Sequence, residues 1–453
     1  MLSQAVTIAR NTFVEAIRQP IYLLILLLGG FLQVVNTWIT GFSMGYSKVP
    51  GEVTGDNKLL LDIGLSTVFV AGMILASFIA TSAVSREIER KTVLTVVSKP
   101  IGRSSVVIGK YLGIAGAMLM ASVVLLVALL LAIRHGVLTT AADDPDQPVI
   151  VFSFLAVALA LGIGAVCNYL YGWSFPQTAA VALVPLLLLA YVGVLLIGKK
   201  WKLQAITTDL KPQIMLASVS MTLALLVISA IATAASTRLG QVMTVTVCAI
   251  FFVAGLLANA LLGRHVFTNQ PVAEIADAVS VDVEDESFSR QGSEYVVSFV
   301  RDAAVDIPVG SVVYWGPSPS GVPMATPRYQ RTDAEGLNLS DTLFAPGTPS
   351  AIVVTQSSAT GLTLKQVGNP PVRLAGPPRP GDWVFLQPTR TNPVALAAWA
   401  LVPNMQTFWL VDAISQVRPV PLTHIAMLAL YAVCQIAIFL SIAVFLFQTR
   451  DVG

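Results

Sequence analysis

The residues of this chain most able to do chemistry form one run, Ser85-Arg86-Glu87-Ile88-Glu89-Arg90-Lys91-Thr92-Val93-Leu94-Thr95-Val96-Val97-Ser98-Lys99-Pro100-Ile101-Gly102-Arg103, followed by Gly109-Lys110. Their chemistry is charge recognition rather than bond cleavage. Acidic side chains come first and basic ones follow, the order that suits a helix dipole, and Pro100 disfavours helix at the residue before it. The expectation is a short helix with a charged surface and an apolar side made of Ile88, Val93, Leu94 and Val97. A nucleotide-binding loop needs Gly, four residues, then Gly-Lys-Ser/Thr; here Ser104 stands where the first Gly belongs and Tyr111 follows Lys110, so no ATP hydrolysis is expected of the chain itself. His135, His265 and His424 form no His-Glu-x-x-His pattern, and Cys167, Cys248 and Cys434 each sit in a long apolar stretch without metal-ligand spacing. No catalytic, cofactor or metal site is therefore assigned.

The elements that must position the charged run are membrane helices. With 55% apolar and 11% charged residues over 453, the chain has about half the charge of a soluble protein, too little for a globular body with one anchor. A net charge of +2, with basic residues in short runs beside apolar stretches, gives no basis for nucleic-acid binding. Windows able to cross about 30 Å of hydrocarbon fall at 21–42, 63–85, 110–133, 149–168, 178–198, 214–236, 242–263 and 425–447. Ahead of them, residues 1–20 read as an amphipathic helix in the headgroup plane, with Leu2, Val6, Ala9, Phe13 and Ile17 on the apolar face and a break at Pro20.

Eight spans put both termini on one side. Arg10 and Arg18, with Arg86, Arg90, Lys91, Lys99, Arg103 and Lys110, make that side cytoplasmic by the positive-inside rule. Lys199, Lys200, Lys202 and Lys211 fall on the other side against the rule, so a re-entrant stretch within 149–236 would lower the count to seven or six. Residues 268–393 differ in character, with Pro, Gly, Ser and Thr clusters and β-leaning runs at Tyr295–Val300, Ser311–Trp315 and Ala351–Val354. The fold class is a polytopic α-helical membrane protein of about eight spans, six to eight. An extracytoplasmic, mostly β domain is inserted before the last span. The expected order is helix 1–20, bundle 21–263 with the loop helix at 86–103, insert 268–393, membrane-proximal segment 394–424, last span 425–447 and cytoplasmic tail 448–453.

Glu-x-Glu-Arg-Lys-Thr, then Ser-Lys-Pro-Ile-x-Arg, then Gly-Lys, all between a second and a third span, closely resembles the loop of ABC-2 type transporter permeases. Residues 1–20 look like that family's elbow helix. Ala230–Arg238 resembles its later cytoplasmic hairpin, and Leu401–Trp409, Asp412-Ala413, Pro419-Val420-Pro421 and Gln448–Asp451 look like its pattern around the last helix. The resemblance implies that 86–103 is a coupling helix docking on a separate ATP-binding subunit, which carries ATP and Mg. Arg86, Glu87, Glu89, Arg90, Lys91, Thr92, Pro100, Arg103 and Lys110 are its contact residues. It also implies a dimer with a second permease copy or paralogue, a cell-membrane location and export. Two features depart from the family: it usually has six spans, and the β insert exceeds its usual outer helices.

Two other classes compete with a permease. A membrane-embedded enzyme lacks an ionisable pair inside the spans, as a proton-coupled transporter would lack its mid-membrane carboxylates. A non-transporting scaffold would use the insert to bind an outer partner, for which Trp315, Trp383, Phe385 and Tyr329 offer either a face or a core. Asn36, Asn259 and Gln435 suit interhelical hydrogen bonds, and Gly113–Ala117 and Gly162–Ala165 suit close helix packing.

Overall fold

The computed structural model describes residues 2–42, 56–85, 102–137, 144–268, 270–281, 292–317, 319, 351–367, 377–387, 390–415 and 420–449. Among them, eight helical segments are long and apolar enough to cross a membrane. After α1 (Leu2–Arg18) come α2 (Pro20–Ile39), α3 (Asp56–Ala80) with a π-helical turn Thr81–Ser85, α4 (Arg103–His135), α5 (Gln147–Tyr171), α6 (Phe175–Leu196), α7 (Pro212–Ser236) and α8 (Gln241–Ala258). The short α9 (Pro393–Leu401) and α10 (Val411–Ser415) precede the last long helix, α11 (Leu422–Gln448). The chain forms two compact units, residues 1–256 with 403–453, and Leu257–Val402.

In the first unit α3, α4 and α7 are the most buried spans, while α5, α8 and α11 show most of their apolar surface outward, as lipid-facing helices do. The break at Pro20 is observed: Gln19 is extended and Pro20 opens α2, where a missing amide proton costs nothing. α1 packs with a face that overlaps its apolar side only in part, with Ile17 buried and Phe13 against the core as the periodicity suggests. Ala5, Thr12, Ala16 and Ile17 are buried, whereas Val6 is 61% exposed. Small residues line the contact because α1 lies directly on α4. A Cβ on Gly113 would stand 2.5 Å from the Ala9 carbonyl oxygen, and one on Gly109 2.8 Å from that of Ala5.

α5 and α6 form a hairpin whose turn is permitted by Gly172 at φ 68. A Cβ on Gly164 would meet that of Ala179 at 2.9 Å, so Gly164 serves close packing, whereas a Cβ on Gly162 would meet nothing within 4 Å. At 25 and 22 residues, these helices are about 37 and 33 Å long, enough for full crossings.

The second unit holds a six-stranded antiparallel sheet in the order β4 (Tyr314–Gly316), β7 (Trp383–Phe385), β2 (Pro271–Ser280), β3 (Glu294–Phe299), β6 (Gly361–Val367), β5 (Ala351–Ser358). A second ladder pairs β1 (Phe267–Thr268) with β8 (Arg390–Thr391). The six-stranded sheet closes on itself. Gly310 N donates to Val354 O (2.7 Å), Val354 N to Ser311 O (3.0 Å), and Val312 bridges Val353, while the next residues pair with β7. Segment 310–316 thus joins both edges, which removes them as templates for pairing. Alternating burial along β3 sends Tyr295, Val297 and Phe299 inward to meet Ile275, Leu362, Leu364 and Val384. Phe385 is fully buried, Trp315 packs against the core, and Tyr329 lies outside the described residues.

Candidate functional site

The charged loop leaves the bundle from the π turn and returns at α4. Residues 86–101, which include Arg86, Glu87, Glu89, Arg90, Lys91, Thr92 and Pro100, lie outside the described residues. The two stems are defined. Thr81 to Ser85 are all buried, and Thr81 Oγ1 donates to Ser77 O at 2.8 Å and Ser82 Oγ to Ile79 O at 3.0 Å. Gln19, at the joint between α1 and α2, donates from Nε2 to Ser82 Oγ at 2.6 Å. Lys110, two turns into α4, is buried and its ammonium donates to the Ala83 carbonyl in the π turn. Gly109 lies inside the helix against α1, so Gly109-Lys110 is a packing and tethering pair rather than a phosphate loop. The two stems that flank residues 86–101 are therefore joined to each other.

The same end of the bundle holds the end of α11. Arg103, the first residue of α4, donates from Nη1 to Gln448 O at 2.9 Å. Arg238, in the turn between α7 and α8, donates from Nε to Leu446 O at 3.1 Å and from Nη2 to Thr449 Oγ1 at 2.7 Å. The last carbonyls of a helix have no intrahelical donor and carry the negative end of its dipole, so two guanidinium groups satisfy and stabilise that end together.

At the opposite end, residues 403–415 fold into the bundle between α3, α7, α8 and α11. Met405, Phe408, Val411 and Ile414 are buried there. Ser220 Oγ donates to Phe408 O (2.7 Å), Asn404 N to the Tyr431 hydroxyl (2.8 Å), and Trp409 Nε1 to Asp62 Oδ1 (3.1 Å). Pro403 O lies against Gly255, where a Cβ would stand 2.4 Å away. A second polar cluster ties the loop ends of this face. Arg134 at the end of α4 binds Asp146, the N-cap of α5, and its Nε is 3.0 Å from Asp209 Oδ2.

Of the nine loop-contact residues expected from the sequence, Arg103 and Lys110 are described, both at this one end, and neither is solely a surface charge. Arg238, Asp62, Asp146 and Arg134 were missed as individual residues; the only available signal was that opposite charges sit at the ends of neighbouring spans. α3 begins earlier than its apolar window 63–85, so Asp62 is a helical residue near the start of the span, where Trp409 holds it. Asn36 Nδ2 donates to Thr67 Oγ1 at 3.2 Å and Gln33 Nε2 to Gly64 O at 2.9 Å, both interhelical. Trp399 Nε1 donates to Asn259 Oδ1 at 3.3 Å, and Gln435 is buried. His135 Nδ1 lies 3.0 Å from Gly136 O and His265 Nε2 accepts from Arg264; the described residues contain no group of His, Cys, Asp or Glu able to hold a metal.

The described residues form tightly packed apolar helices in which the stems on either side of 86–101 are joined to each other. No curated protein and no solved structure matches the chain. Residues 60–239, from α3 through the turn that carries Arg238, match the family model described as ABC-2 family transporter protein, which bears out the resemblance to ABC-2 type permeases and, with the eight long apolar helices, supports a multi-pass membrane protein.

Proposed function

We propose that the chain is the membrane-spanning subunit of an ABC exporter and that a separate ATP-binding subunit docks on residues 86–103. The observation that carries this reading is the construction of the loop's base. Lys110 joins the π turn to α4, Gln19 joins the α1–α2 joint to the π turn, and Arg103 joins α4 to the end of α11. A push on the loop is delivered to four helices at once rather than absorbed by one side chain. ATP-driven closure of the partner would move α1, α3, α4 and α11 as a rigid group, a device that needs no chemistry in the permease itself.

The assembly is a dimer with a second copy or a paralogue, in the cell membrane, with both termini and the loop in the cytoplasm. On this reading, with eight crossings, the β barrel is extracytoplasmic and open to an outer partner. Segment 403–415 closes the outer end of the bundle, and substrate release would require it to shift against Asp62, Ser220 and Tyr431.

Glu87→Lys with Glu89→Lys reverses the acidic start of the loop. With the permease in vesicles and the ATPase supplied outside them, this variant is expected to leave ATP hydrolysis running without moving solute, because the ATPase no longer docks. Unchanged ATP-dependent transport would contradict the assignment.

A further inference from the structure

The loop between α6 and α7 carries Lys199, Lys200, Lys202 and Lys211 at the end of the bundle where the positive-inside rule places fewest basic residues. It is a built hairpin. Ile197 bridges Leu203, Gly198 N donates to Lys202 O at 2.9 Å, and Gln204 N to Leu196 O at 2.9 Å. Its root is fixed by Asp209, which binds Arg134 and accepts from the Gln204 side chain, so the loop's own carboxylate is occupied. At the tip Trp201 has φ 56, a left-handed conformation that turns usually give to Gly or Asn. The strained residue is held by its indole, which donates from Nε1 to Gln147 Oε1 at 3.2 Å at the start of α5.

Lys199, Lys200 and Lys202 are exposed and meet no carboxylate among the described residues. Trp201 is 50% and Leu203 87% exposed beside them. Directly below the tip, α5 and α6 present outward apolar side chains, among them Ile150, Val151 and Leu189. The cations therefore sit where an outward apolar surface ends, beside an exposed indole and an exposed isobutyl group.

We propose that the hairpin Ile197–Leu203 binds the phosphates of anionic phospholipids in the leaflet at this end of the bundle. Three ammonium groups supply the charge, and Trp201 and Leu203 seat among the upper acyl carbons. A lipid is the occupant because the cationic tip continues an outward apolar surface, which an acidic soluble protein would have no use for. The same binding accounts for lysines on the side that the topology rule disfavours, since bound phosphates neutralise them.

The test uses the full-length protein in detergent containing equal phosphatidylglycerol and phosphatidylcholine, with the lipid retained after gel filtration quantified. The wild type is expected to hold an excess of phosphatidylglycerol. Replacing Lys199→Ser, Lys200→Ser and Lys202→Ser should lower its apparent affinity for that lipid about tenfold or more and leave phosphatidylcholine unchanged. The corresponding Lys→Arg variant should retain the excess, and both variants should elute as the wild type does. Equal phosphatidylglycerol retention in the Ser variant, or a parallel loss of both lipids, would overturn the proposal.

Discussion

At the residue scale, Arg103 and Arg238 carry the most testable claim. Their guanidinium groups are exposed yet aimed at carbonyls that a helix end leaves without donors, which distinguishes them from surface charges that contribute nothing measurable. Arg103→Ala combined with Arg238→Ala should weaken the end of α11 by about 0.5–1 kcal/mol per residue. Hydrogen exchange at Phe445–Thr449 would quicken several-fold while exchange in the middle of α11 stays unchanged. Equal exchange in the variant and the parent would remove the clamp from the account. Lys110 acts by the opposite logic: its charge is buried, so its tether to Ala83 matters more than its electrostatic reach.

At the element scale, the contact between α1 and α4 depends on glycine rather than on apolar bulk. Gly113→Val would drive a side chain into the Ala9 carbonyl and Thr12, and the two helices would have to separate. A loss of about 1–3 kcal/mol in thermal stability is expected, with faster hydrogen exchange in α1; unaltered exchange there would show that α1 is held by something else.

The spans were legible in the sequence because crossing hydrocarbon demands about 20 consecutive apolar residues, and the ends of each span fall within about a turn of its window except the starts of α3 and α4. Which side chains of α1 pack was legible only in part. Periodicity marks an apolar side but does not say whether lipid or protein covers it, so Val6 faces outward where Ala5 and Thr12 are buried. The β runs at 295, 311 and 351 were visible as strands. Their closure into a barrel was not, since segment 310–316 pairs with two strands on opposite edges of the sheet.

At the scale of the whole molecule, the contacts that complete the site join residues far apart in sequence. Arg103 and Gln448 are 345 positions apart, and Asp62 and Trp409 are 347. No local pattern encodes such pairs; the charged loop was readable because its order of residues is local, whereas its anchorage was not. Scarce charge organises the molecule, with one group of basic residues in and beside the segment 86–103 and another, Lys199 to Lys202, at the opposite end of the bundle. The central claim is that the loop 86–103 receives an ATP-binding partner. Purification of the full-length chain from its own membranes in mild detergent, followed by mass spectrometry, tests it most directly. The account predicts a stoichiometric companion bearing a nucleotide-binding loop, lost when Glu87 and Glu89 are changed to Lys. A wild-type preparation without such a companion, or one retained undiminished by that variant, would contradict it.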